Sequence, residues 1–176
     1  MKLRLIAGAA LAALLLNPAP VFAQSSMAAY EAARTALLAV WAELPLSVRN
    51  VTLTTDTARS YGNYTPYEGQ SFKIGDTIHV YVEVLGYGWK DNGDGTVSEL
   101  LDADLNLLDS TGATIASQAK FLSSDTISRE KLLETYLTLE ATLSDFDPGD
   151  YKLQYVLHDL AGGKDATFEV PITLTQ

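Results

Sequence analysis

The chain contains no cysteine and only two histidines in its 176 residues. Without a thiol there is no cysteine nucleophile and no Cys-ligated zinc or iron–sulfur centre. Neither histidine belongs to an H-E-x-x-H or H-x-H pattern, and no G-x-S-x-G elbow occurs. Basic residues are scarce too: 12 Lys and Arg against 22 Asp and Glu leave a formal charge of −10. So acidic a surface repels nucleic acid and anionic lipid, which argues against a nucleic-acid partner. The longest apolar run, Leu5 to Leu16, falls short of the about 20 residues that a bilayer-spanning helix needs.

What is there begins with that run. Lys2 and Arg4 precede it, Asn17, Pro18 and Pro20 break it, and Val21-Phe22-Ala23 places small residues at the −3 and −1 positions of a cleavage site. This pattern predicts a signal peptide over residues 1–23, with a retained anchor as the alternative. The missing cysteine excludes a lipoprotein anchor, and no integral membrane segment is expected after cleavage. Residues 1–23 carry Lys2 and Arg4 and no acid, so their removal takes the formal charge from −10 to −12. Gln24–Gln176 is long enough for one domain without a covalent staple, and its expected location is periplasmic or secreted.

Residues 25–44 read as a helix. Ser25 and Ser26 can cap it, Ala is abundant, and Pro45 stops it. Met27, Tyr30, Leu37, Leu38, Trp41 and Leu44 recur at helical spacing. Such a stripe either packs on the domain's own sheet or docks a partner; Arg34 interrupts the seam and weighs against a free-standing coiled coil. After residue 46 the period changes to two. Strands are predicted over Val48–Thr54, Phe72–Ile74, Thr77–Leu85, Val97–Leu108, Thr114–Phe121, Leu133–Leu143, Tyr151–His158 and Ala166–Leu174. Residues 57–70 read as a loop, and residues 123–130 as a polar stretch with room for one helical turn. Asp147-Pro148-Gly149-Asp150 is a turn in which Pro presets φ and Gly supplies a positive one. The fold predicted from this spacing is a mostly β, antiparallel β-sandwich of immunoglobulin-like or fibronectin-III-like type. It has about seven strands over residues 46–176, behind one amphipathic N-terminal helix over residues 24–45.

Two stretches carry a family likeness. The first is Phe72-x-x-Gly75-Asp76-x-Ile78-x-x-Tyr81-Val82-Glu83, with Tyr61-Gly62-x-Tyr64 ahead of it. The second is Pro148-Gly149-Asp150-Tyr151-x-Leu153, followed by Asp159-x-x-x-Gly163-Lys164. Together they resemble a group of exported bacterial Ig-like β-sandwich proteins, over roughly residues 60–175. The resemblance implies the fold and the export, and it assigns no activity.

No catalytic constellation stands above background. His158 and Asp159 are neighbours on a strand and therefore point to opposite faces. Asp102 and Asp104 share a face, as do Glu134 and Tyr136, and either face reads as the solvated side of a sheet. The Asp91–Gly95 loop has Gly at the third and fifth positions where an EF-hand needs oxygen ligands. A looser calcium site on Asp91, Asn92 and Asp94 is weighed there against a plain hairpin tip. No metal and no cofactor is expected. The aromatic residues Tyr61, Tyr64, Tyr67, Tyr87 and Trp89 lie in or beside loops, and the loops of a sandwich cluster at its ends. These rings either form a face that stacks on sugar rings or peptide side chains, or fold back over the open end of the sandwich. The reading is a non-enzymatic binding module contacting an envelope protein or glycan through these aromatics or the helix. The alternatives are a polysaccharide hydrolase using paired carboxylates and a structural subunit docked through the helix.

Overall fold

The computed structural model describes residues 26–176. The leader expected over residues 1–23 lies outside them. Among the described residues no helix is long and apolar enough to cross a membrane.

One helix, α1 (Met27–Glu43), leads into nine strands: β1 (Ser47–Thr54), β2 (Ser71–Lys73), β3 (Thr77–Leu85), β4 (Lys90–Asp91), β5 (Val97–Leu108), β6 (Thr114–Ser128), β7 (Thr135–Thr142), β8 (Gly149–Asp159) and β9 (Lys164–Thr175). The strands form a three-stranded sheet, β1-β3-β7, and a six-stranded sheet in the order β2-β9-β8-β5-β4, with β6 on the other side of β5. The larger sheet curls like half a barrel. Pairing is antiparallel except between β2 and β9, which run parallel with Phe72 opposite Leu174. The mostly β chain with one helix is therefore as the periodicity predicts. The expected all-antiparallel arrangement of about seven strands is corrected to nine strands in mixed sheets. β2 overlaps the strand predicted over Phe72–Ile74; the strand absent from the prediction is the two-residue β4, which pairs with the end of β5 that extends past β8.

Alternation sets the core. Ile78, Val80, Val82 and Val84 of β3 and Leu137, Leu139 and Ala141 of β7 are buried against Leu101, Ala103, Leu105 and Leu107 of β5 and Leu153, Tyr155 and Leu157 of β8. Val170, Ile172 and Leu174 of β9 complete the cluster. Each fully buried aliphatic side chain contributes about 1.5–3 kcal/mol over leaving it in water. Because the two sheets fill each other's inner faces, neither keeps an apolar face for the helix.

Residues 123–130 differ from the expected polar turn: β6 continues to Ser128, with Val97 opposite Ser128 and Leu101 opposite Ser124. On the edge of β5 opposite β8, β6 pairs along the whole strand from Val97 to Leu108. Midway the pairing shifts register between Ala103 and Leu105, and Lys120 takes a φ of 49° at that point. Its amide is held by Asp104 Oδ1 at 2.7 Å, so the bulge is pinned from β5.

α1 begins at Ser26, whose hydroxyl accepts the Ala29 amide at 3.2 Å. Its expected packing stripe is corrected. Of the six stripe residues only Trp41 is buried; Leu38 is half-buried, and Met27, Tyr30, Leu37 and Leu44 are exposed. The helix leaves the body at its C-terminal end, three residues before β1, and does not lie across a sheet.

Candidate functional site

The foot of α1 is the most elaborately built corner of the molecule. Trp41 Nε1 donates to the Tyr87 carbonyl at 2.9 Å, and the two rings meet edge to face at 5.2 Å. Trp89 closes the cluster at 6.0 Å from Trp41 and 5.5 Å from Tyr87, with the Lys131 ammonium 5.4 Å over its ring. Beneath them Asp159, 2% exposed, accepts the amides of Gly88 (2.8 Å), Ala161 (3.1 Å) and Gly162 (2.8 Å). A Cβ on Gly88 would sit 2.7 Å from the Gly162 backbone, so both positions need glycine for the loops to touch. The last turn of α1 has no basic residue of its own. Lys164 supplies the charge from the β8–β9 hairpin. Its ammonium donates to the carbonyls of Leu44 (2.7 Å), Gly86 (2.8 Å) and Ala42 (3.3 Å), which suits the negative end of the helix dipole.

The five aromatic residues singled out in the sequence do not converge. Tyr87 and Trp89 belong to the helix foot. Tyr87 is 1% exposed, a correction to its expected place in an open loop face, because its hydroxyl donates to the Leu132 carbonyl at 2.9 Å beneath the helix. Tyr61 and Tyr64 lie on the outer face of the three-stranded sheet. Tyr64 stacks on Tyr81 at 4.1 Å, and Tyr136 stacks on the same ring at 5.5 Å. Glu83 underlies this group and accepts from Arg49 Nε at 2.6 Å, Tyr61 at 2.9 Å and Tyr81 at 3.1 Å. Burial alone would raise the Glu83 pKa, but hydrogen bonds from Asn50, Arg49, Tyr61 and Tyr81 outweigh it and hold the carboxyl below its usual value. Burial, reinforced by Glu83, pushes the Tyr81 phenol up to about 12. Tyr67 stands apart again, stacked on Phe72 at 4.8 Å. Loop 55–70 thus folds down on the sheet and holds its tyrosines there, all three of them half-buried.

The carboxylates are engaged individually. Asp102 accepts from Ser123 at 2.7 Å, and Asp104 holds Lys120 and His158. His158 lies between Asp165 (2.7 Å) and Asp104 (3.2 Å), and chiefly the Asp165 bond raises its pKa. The sequence neighbour Asp159 points away from it to the helix foot. Asp91 and Asp94 accept amides of their own turn, at Gly93 and Thr96, so both carboxylates shape the hairpin tip.

Glu99 is 3% exposed and accepts from Thr135 Oγ1 at 2.7 Å. Burial raises its pKa, the bond from Thr135 pulls the other way, and the charge of Asp159 adds to the rise. A carboxyl whose folded pKa lies above its unfolded value favours folding at low pH and weakens it as pH rises through the folded pKa. Glu99→Gln keeps the shape and removes that liability. Its melting temperature at pH 8 is expected to exceed the parent's by roughly 2–4 °C, as for about 1 kcal/mol in a domain this size, with little difference at pH 4. Calorimetry at the two pH values decides: an equal or lower value at pH 8 means the carboxylate is ionised and stabilised in place.

What remains open is the outer side of α1. Tyr30 is 60%, Leu37 50% and Val40 60% exposed. Beside them runs a groove of about 610 Å³ between the helix and residues 130–134, lined by Tyr30, Glu31, Arg34, Lys131 and Leu133 among others and bridged by an Arg34–Glu130 ion pair at 2.6 Å. Sequence reasoning did not find Asp159 and Lys164 as the anchors of this helix. Their only signal was the Asp-x-x-x-Gly-Lys ending, whose spacing is that of a hairpin turn.

No protein-family model and no curated protein sequence matches the chain. Among solved structures the chain is similar to Pseudomonas fluorescens alkylpurine DNA glycosylase AlkC bound to DNA containing an abasic site analogue, at 12% identity and a TM-score of 0.41, over 84% of this chain. It spans 38% of the length of that structure, and so distant a likeness informs neither the fold nor the chemistry of this protein.

Proposed function

We propose that this protein is a non-enzymatic interaction module of the bacterial cell envelope that engages another protein through the outer face of α1 and its adjoining groove. The observation that carries this reading is the exposure of Tyr30, Leu37 and Val40 on a helix held to the body chiefly at its foot. A 17-residue helix is marginal in water by itself. A sequence that anchors one through Lys164, 120 residues from Leu44 and at the start of β9, invests in where that helix points. The leader pattern over residues 1–23 supports export to a periplasmic or secreted location. The finer fold reading is an Ig-like sandwich, supported by the Tyr151 hydroxyl, which donates back to the Asp147 carbonyl at 2.8 Å as the tyrosine corner of such domains does.

A photo-crosslinking residue placed at Leu37 in living cells tests the reading, with one at Ile115, exposed on β6, as the control. Covalent adducts from position 37 and none from 115 are expected. No adduct from 37, or equal adducts from both, removes α1 as the contact surface. A second reading, a glycan contact, rests on the half-exposed Tyr64 and Tyr136 rings that flank Tyr81. It gains if Tyr64→Ala and Tyr136→Ala abolish retention on envelope polysaccharide while position 37 stays silent.

A further inference from the structure

Among the described residues one asparagine is followed by glycine. Asn92-Gly93 sits at the tip of the β4–β5 hairpin with both residues exposed, whereas Asn50, Asn63 and Asn106 precede Val51, Tyr64 and Leu107. The side-chain carbonyl of an asparagine lies within reach of the next residue's amide nitrogen, and attack there closes a five-membered ring. A following side chain crowds that nitrogen, and a glycine leaves it open. Gly93 has a φ of 79°, so the hairpin itself selects glycine at this point.

The groups around this pair are placed to assist the attack. The Gly93 amide donates to Asp91 Oδ1 at 2.8 Å, so the proton of the nucleophile already points at a carboxylate. Ser98 Oγ donates to Asn92 Oδ1 at 3.3 Å, where negative charge collects as the carbonyl carbon becomes tetrahedral. Thr96 Oγ1 and Ser98 Oγ also accept from Asn92 Nδ2, at 2.9 and 3.0 Å, and Ser98 is buried, so the side chain is fixed to the body of the sheet. We infer that Asn92 is a self-modification site, which loses its side-chain amide to attack by the Gly93 nitrogen with Asp91 as the base.

The step balances within the hairpin and water. Asp91 takes the Gly93 amide proton as the nitrogen bonds to Cγ of Asn92. The Cγ–Nδ2 bond then breaks, and Nδ2 leaves as ammonia with a proton returned through solvent. Water opens the cyclic imide at either of its two carbonyls, which leaves an aspartyl or an isoaspartyl residue at position 92. Either product sets a new carboxylate between Asp91 and Asp94 and takes the amide donor away from Thr96 and Ser98. The isoaspartyl form also adds one carbon to the main chain next to β4, whose two pairings, Lys90 with Ser98 and Asp91 with Val97, lose their register. Each molecule therefore gains negative charge at this tip as it ages.

Mass spectrometry of the purified protein, held for weeks at near-neutral pH and physiological temperature, tests this. The tryptic peptide 91–120 contains both Asn92 and Asn106, and fragmentation separates the two. Conversion at Asn92 is expected, with Asn106 unchanged in the same peptide. Asp91→Asn keeps an oxygen for the Gly93 amide, but an amide oxygen does not take up that proton, so conversion slows at least about tenfold. The urea midpoint stays at the parent's value, because β4 is a two-residue edge strand. Ser98→Ala, which removes the donor to Asn92 Oδ1, slows conversion as well. An Asn92 that stays intact overturns the inference, as does conversion of Asn92 and Asn106 at equal rates. Parental or faster conversion in Asp91→Asn overturns it too, since the carboxylate then restrains the turn and is no base.

Discussion

Gly86→Ala is expected to lower stability by about 3 kcal/mol, or roughly 6–12 °C in melting temperature. Two costs coincide at that residue. Its φ is 76°, a left-handed conformation that costs a residue with a Cβ about 1–2 kcal/mol. The new methyl would also overlap the Pro45 carbonyl, which is backbone and cannot rotate away. Gly112→Ala separates the two: its φ is 86° but nothing lies within 4 Å of the added carbon, so about 1 kcal/mol is expected. Urea denaturation of both variants gives the difference. Gly86 also presents a carbonyl to Lys164, and Trp41 packs in the same corner. The Gly86 variant should therefore red-shift tryptophan emission before the sheets unfold. Equal losses for the two glycines would mean that the Pro45 contact yields easily and that the helix foot is softer than its geometry.

Asp159→Ala is expected to cost a similar amount, about 3 kcal/mol, by a different route. Its two oxygens take three amides, from Gly88, Ala161 and Gly162. Removing the acceptor leaves those donors without partners, at about 1–3 kcal/mol for each one that water cannot reach. Asp159→Asn keeps one acceptor oxygen for the Ala161 and Gly162 amides but turns an N–H₂ toward Gly88, so roughly half the loss is expected. Chemical denaturation of the pair reads this directly. A harmless Asp159→Ala would show that the β8–β9 hairpin holds its shape unaided. The two predictions bear on function through the same joint, because the loops held by Asp159 include Gly88, two residues from the glycine on which the helix foot rests.

The strands were legible because alternation reports burial on a sheet with one dry face. Thr77–Leu85 and Val97–Leu108 have the predicted bounds, and the buried set Thr135, Leu137, Leu139 and Ala141 follows the predicted alternation. The tight turn expected at Asp147–Asp150 does not form: Gly149, with a nearly extended φ of 159°, and Asp150 already pair with β9 as the start of β8. The continuation of β6 through residues 123–128 was not legible, since Ser123, Ser124 and Ser128 have weak preferences and only the free edge of β5 decides their conformation. Helical periodicity identified α1 but not which side of it meets the body. An apolar stripe specifies that something covers it, and the sequence does not say what. The loop tyrosines misled in the same way. Tyr64 finds the ring of Tyr81 on another element and Tyr67 folds onto nearby Phe72 at the start of the next strand, and neither contact shows in the strand alternation.

The position of β9 governs when this molecule can exist. Residues 164–175 do not finish the larger sheet at its rim; they fill a gap between β2 and β8. Until they are in place β2 has no neighbour, the inner face of β8 stands open, and Val170, Ile172 and Leu174 are missing from the centre of the core. Lys164, the brace of the first helix, opens that same strand. The earliest residues of the described chain are therefore secured by some of the latest, and a polypeptide still emerging from a ribosome or a membrane pore has no partial version of this architecture to settle into. Folding here is a single event that waits for the far end of the chain.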